Sequence, residues 1–140
     1  MDASALTAIE AQRLLSTGEL SAVELMTDCL AQIDRIDPVV NAMVIRNDEL
    51  ALTRAAEADT MHAQGEVTGV LHGLPVAIKD LQPTADMRTT YGSPAFSDNV
   101  PDQDAGIVTR IKAAGGIPIG KTNIPERSIG ANTILSLIHI

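Results

Sequence analysis

The first third of the chain carries short apolar stripes framed by start and stop signals, and both point to helices. Thr7 with Glu10 makes a capping box, in which each side chain accepts from a free amide of the first turn, and Gly18 suits a left-handed stop. Ser21 with Glu24 repeats the device. Behind it Val23, Met26, Leu30 and Ile33 recur at steps of three and four, one apolar stripe on a helix that the pattern ends before Pro38. The two helices read as a hairpin. Val40, Ala42 and Val44 alternate as a short strand, and an Ala-rich helix is predicted from Asn47 to about Gln64, with Gly65 beyond it.

The middle of the chain changes period. Leu74, Val76 and Ile78 face one way and Pro75, Ala77 and Lys79 the other, which predicts a strand bounded by Gly73 and by the polar stretch after Asp80. From there to Pro101 the residues are Pro, Thr, Ser, Gly and Asp-rich, a long loop of the kind that is usually functional. Asp104 is placed to cap a helix from Ala105 to Ala114, which Gly115 and Gly116 end, and Ile117 to Gly120 forms the next strand. Strand, crossover helix, strand is the parallel unit of an α/β protein. The expected architecture is a helical hairpin leading into a mixed sheet covered by helices. Two or three strands are few for such a sheet, so the sheet reads as incomplete. Residues 1–133 are assigned to this unit. Residues 134–140 lack a cap, a stop signal or a charge, and Leu135 to Ile140 looks like the translation of a transposon-end sequencing adapter. We expect a non-native tail there, in which His139 has no function.

Composition narrows the class without changing this picture. With 140 residues, 45% hydrophobic and 20% charged, the chain fits one small globular unit, and disorder, collagen and disulfide scaffolds fit poorly. Aromatics amount to one Phe and one Tyr, so the core is aliphatic and stacking platforms for bases are nearly absent. A net charge of −8 repels phosphate backbones and anionic surfaces, which argues against direct nucleic-acid or membrane binding. No basic leader and no apolar run of membrane-spanning length occurs, so a cytoplasmic location is expected. The single cysteine, Cys29, has no partner for an internal disulfide and no nearby metal ligands, and reads as a small core residue. No metal and no cofactor is expected.

Two lysines invite a chemical reading. Gly115, Gly120, Lys121 and Thr122 formally match a phosphate-binding P-loop, but such a loop needs a strand before its first glycine and a helix after its Lys and Thr. Here a helix comes first and a strand-like run follows, so nucleotide binding is rejected. Lys79 is the stronger candidate, because it ends a strand of aliphatic neighbours beside a long loop, where α/β enzymes place functional groups. Desolvation there would lower its pKa and make the amine a general base, with Asp80 facing the other way and leaving it unpaired. The alternative is a solvated lysine at a strand end.

Other polar residues carry weaker signals. His62 and His72 lie apart on a helix and a turn and read as surface groups. Thr89, Thr90, Gly92 and Ser93 suit a pocket lining or a plain turn, Asp102 and Asp104 a helix cap, and Asn123 with Glu126 a buttress for the turn after the last strand.

Taken together, Gly73 to Asp80, Thr89 to Ser93 and Ala114 to Asn123 resemble the N-terminal part of the amidase signature family, and Gly18 to Leu25 resembles its leading helical hairpin. The similarity covers residues 5–133. It implies hydrolysis of a carbon–nitrogen amide bond by a Ser, cis-Ser, Lys triad, whose lysine maps onto Lys79. The lysine deprotonates the bridging serine, which relays the proton transfer to the nucleophilic serine. In the family both serines lie downstream of the Asn and Thr that match Asn132 and Thr133, and this chain departs from the pattern at Ile134. None of Ser93, Ser97, Ser128 or Ser136 has the glycine-flanked setting of those serines. The resemblance therefore implies a small-molecule amide substrate, and a polypeptide inactive by itself because it holds one triad member of three. The A-type member of a glutamyl-tRNA(Gln) amidotransferase, which works with partner subunits, and a non-catalytic interaction domain on the same scaffold are the alternatives.

Overall fold

The computed structural model describes residues 2–129. Among them a short 3-10 turn, Ala3–Ala5, leads into α1 (Ala8–Thr17), α2 (Ala22–Val40), β1 (Met43–Arg46), α3 (Asp48–Ala63), β2 (Pro75–Lys79), α4 (Gly106–Ala113) and β3 (Ile117–Thr122). The strands form one mixed sheet in the order β1-β3-β2, with β3 parallel to β2 and antiparallel to β1. The fold is α/β, as expected. The junction at residue 133 and the tail 134–140 lie outside the described residues.

Local rules explain the helices. Both capping boxes form, with Thr7 and Ser21 each bonded reciprocally to the Glu three residues on, and Gly18 stops α1 at φ 72°. Because those bonds favour the ionised acid, the Glu10 and Glu24 carboxyls lie below the usual carboxylate range. Tertiary carboxylates add to the local ones. Asp59 on α3 accepts the N–H groups of Ala22 and Val23 at 2.6 and 3.1 Å, placing negative charge at the positive end of α2. Ala51, Ala55 and Ala58 turn a buried alanine face of α3 toward the rest of the helical layer, whose core is completed by Leu14, Leu15, Leu25, Met26 and Leu30. Cys29 packs against that core half-buried, and burial with the neighbouring Asp28 charge pushes its thiol pKa up.

Three expected boundaries move, each for a physical reason. α2 does not end before Pro38 but continues to Val40. A proline this close to the end removes only one helical N–H, and Asp37 secures the exit beyond it: its carbonyl accepts from Asn41 at 2.7 Å, and its carboxylate from Ala42 and Met43 at 2.7 and 3.0 Å. Because the helix takes up Val40, the first strand shifts from Val40–Val44 to Met43–Arg46. In the third case Asp104 does not cap α4, whose N-cap is Ala105 with no side-chain bond. Asp104 instead accepts the N–H of Ala85 at 2.8 Å and pairs with Lys112 at 2.7 Å, tying the long loop to α4. Burial opposes its charge, but those two bonds hold the carboxyl below its ordinary range.

β3 is the central strand and is buried along Ile117 to Lys121. It contains Pro118, which cannot donate to a ladder, and the register with β2 slips just there, from Val76↔Pro118 to Ala77↔Gly120. Gly120 follows because a Cβ at that position would sit 2.6 Å from the carbonyl oxygen of Ile45 on β1.

Candidate active site

The site lies at the carboxyl ends of β2 and β3, where Lys79 stands opposite Thr122 and Ile78 opposite Lys121. Strand alternation separates the side chains. Ile78 and Asp80 are buried and Lys79 between them is exposed, so Lys79 and Asp80 face opposite ways, as the sequence pattern predicts. The expected desolvation of Lys79 is not observed among the described residues. The side chains of β2 beside it leave its face open: Ala77 is exposed too, and contributes only a methyl group.

The desolvated lysine is Lys121. It is 0% exposed, and its ammonium donates to the carbonyl of Gln82 at 2.5 Å and to the hydroxyls of Thr89 and Thr84 at 2.8 and 3.2 Å. Three donors thus meet three acceptors. The carboxylate of Asp80, also 0% exposed, lies 3.8 Å away and supplies the countercharge. Burial pushes the Lys121 pKa down to about 8, and Asp80 offsets part of that fall.

Asp80 in turn orders the loop that follows β2. Its carboxylate accepts the N–H of Thr90 at 3.2 Å and the Thr90 hydroxyl, and its carbonyl accepts the N–H of Tyr91 at 3.2 Å. Thr89 is held from the other side, exchanging bonds with Asn99 at 2.9 and 2.8 Å. Tyr91 stacks edge-on against Phe96 with ring centroids 5.2 Å apart, so the chain's two aromatics meet within this loop. Ser93, buried, donates to Glu126 at 2.7 Å, and the N–H of Arg127 donates to the Tyr91 carbonyl at 2.7 Å. Glu126 thus buttresses the turn after β3, and Asn123 does so through its N–H, which donates to the carbonyl of Ala42 at 2.8 Å.

Several candidates change meaning. Thr89, Thr90 and Ser93 are buried structural partners. The P-loop pattern fails as expected, since it runs from the end of α4 into β3, and its lysine is directed into the interior. His62 and His72, distant in sequence, come within 6.4 Å between ring centroids. His72 is engaged through Ala58 at 3.0 Å and Thr68 at 2.9 Å, and among the described residues no group of three or more metal-binding side chains forms.

Sequence reasoning missed Lys121 by treating it only as a false P-loop residue. The signal was present: Ile117, Ile119 and Lys121 alternate, which puts the lysine on the strand face that carries the two isoleucines.

Known proteins share this fold. The Amidase family profile matches residues 24–139. The chain belongs to the amidase family. It is 40% identical over 134 residues to the A-type component of the glutamyl-tRNA(Gln) amidotransferase of Rhodopirellula baltica, covering 96% of this chain and 27% of that protein. Its counterpart in Carboxydothermus hydrogenoformans is 39% identical over 91% of this chain and 26% of its own length. Among solved structures, the native peptide amidase of Stenotrophomonas maltophilia superposes with a TM-score of 0.83 at 35% identity, covering 90% of this chain and 26% of that one. Fatty acid amide hydrolase, at 23% identity and a TM-score of 0.82, shares the fold. The chain therefore spans about a quarter of the length of the amidase-family proteins it matches.

Proposed function

We propose that the protein carrying this chain hydrolyses a carbon–nitrogen amide bond of a small-molecule substrate, with Lys79 as the general base. The supporting observation is the place of Lys79: it ends a strand at the sheet's carboxyl edge, on an open face, with its neighbour Asp80 turned away into the interior. In the triad implied by family resemblance the amine takes the proton of a bridging serine, that serine takes the proton of the second serine as it attacks the carbonyl, and the C–N bond breaks as the ammonium so formed, through the bridging serine, protonates the leaving nitrogen. Water then releases the acid from the acyl-enzyme. In this reading the Lys79 amine acts from the open face at the end of β2.

A second reading is favoured by the similarity to A-type amidotransferase components over nearly the whole chain. In that case the amide is glutamine, and the ammonia released serves a partner assembly. A cytoplasmic location is part of either reading; no helix among the described residues is long and apolar enough to cross a membrane. The test is an assay of the intact gene product on a simple acyl amide, a peptide amide and glutamine, with Lys79→Ala beside it. Loss of turnover in the variant supports the proposal, and unaltered turnover refutes it. Glutaminase activity together with copurifying partner chains selects the second reading.

A further inference from the structure

We infer that Lys121 is a positioning residue of this site, holding the segment 80–91 against the carboxyl ends of β2 and β3 and so fixing the backbone that presents Lys79. The inference rests on the reading of Lys79 as the reacting base.

The hydrogen bonds around Lys121 form one connected set. Lys121 is the register partner of Ile78, the residue before Lys79, but its side chain runs into the interior and not onto the open face. All three of its acceptors, Gln82, Thr84 and Thr89, belong to the segment that begins just beyond Lys79. Gln82 is the link. Its carbonyl accepts from Lys121, and its own N–H donates to the carbonyl of Lys79 at 2.9 Å. Asp80, joined to Lys79 by a peptide bond, is secured by Thr90 on the loop and by its N–H to the carbonyl of Thr122 at 3.1 Å. Lys79 is therefore held in place by two anchored residues beyond it, Asp80 and Gln82. An apolar side chain of similar size would fill the same space with less desolvation cost, but it would leave the Gln82 carbonyl and the threonine hydroxyls without their donor. The ammonium thus specifies the path of the loop as well as filling the core.

The test uses the intact gene product. Lys121→Met keeps most of the length of the side chain and removes its donors. At a temperature where the protein remains folded, we expect kcat on an acyl amide to fall by about 10- to 100-fold with KM within about threefold, the signature of misplaced catalytic geometry. Backbone hydrogen exchange at Thr89, Thr90 and Tyr91 should quicken by at least about tenfold, with exchange in α2 unchanged. Val108→Ala, at a residue of α4 that is fully buried, is the control for lost stability, and its kcat should stay within about twofold of the parent. Should Lys121→Met not fold, Thr89→Val removes one acceptor at nearly constant volume and should show the same pattern in weaker form.

Unchanged exchange at residues 89–91, or equal kcat losses in Lys121→Met and Val108→Ala, would overturn the inference. Full activity in Lys79→Ala would instead remove the catalytic reading, while the exchange rates would still decide whether Lys121 holds the segment.

Discussion

The helical layer, from Ala3 to Ala63, and the loop-covered end of the sheet, from Asp80 to Ser93 with β3, are held by opposite means. The first is closed by aliphatic packing and by capping boxes whose partners lie three residues apart, with Asp59 of α3 adding a bond to the start of α2. The second is closed by a buried ion pair, Lys121 with Asp80, whose hydrogen-bond partners on the loop lie 10 to 39 residues away along the chain. The helical layer can tolerate local damage because each contact is one of many. The sheet end converges on a single ammonium group, and its failure should be correspondingly abrupt.

The sharpest way to break that contrast is Lys121→Met in the chain itself. Removing one partner of a buried pair leaves Asp80 uncompensated, and urea unfolding should show a loss of about 3–5 kcal/mol. In the helical layer, Met26→Ala, at a residue 0% exposed, should cost about 2–5 kcal/mol through the cavity it leaves. A cost for Lys121→Met well below that of Met26→Ala would mean that the two regions do not differ as described.

Lys121 also predicts a pH dependence. Its folded pKa of about 8 lies below the 10.5 of an unperturbed lysine, so between those values the unfolded chain binds more protons and stability rises with pH. The contribution should approach about 1.4 kcal/mol per pH unit at most, and the difference between the parent and Lys121→Met unfolding curves isolates it. A flat difference across that window would contradict the buried charge. At the small end of the scale, Ser21→Ala should cost about 1 kcal/mol by removing a cap.

What the sequence disclosed follows the same division. The capping boxes, Gly18, the Ala-rich third helix and the β2–α4–β3 unit were legible because each is written within a few neighbouring positions. Pro38 misled because Asp37, just before the proline, secures the helix end by accepting from Ala42 and Met43 beyond it, a side-chain exit that propensity does not encode. Asp104 misled for a related reason: it stands where a cap belongs, but its N–H partner, Ala85, is 19 residues away. Of the candidate site, the strand-end location of Lys79 and the opposed direction of Asp80 were readable from alternation. The identity of the desolvated lysine was not read, since burial of Lys121 depends on a loop folding back over β3.

The central claim concerns Lys79, and the most direct measurement is the turnover of Lys79→Ala in the intact gene product on an acyl amide. If the amine is the base of the triad, kcat should fall by about 10³-fold or more while the variant remains folded. Turnover equal to that of the unsubstituted protein would contradict the account.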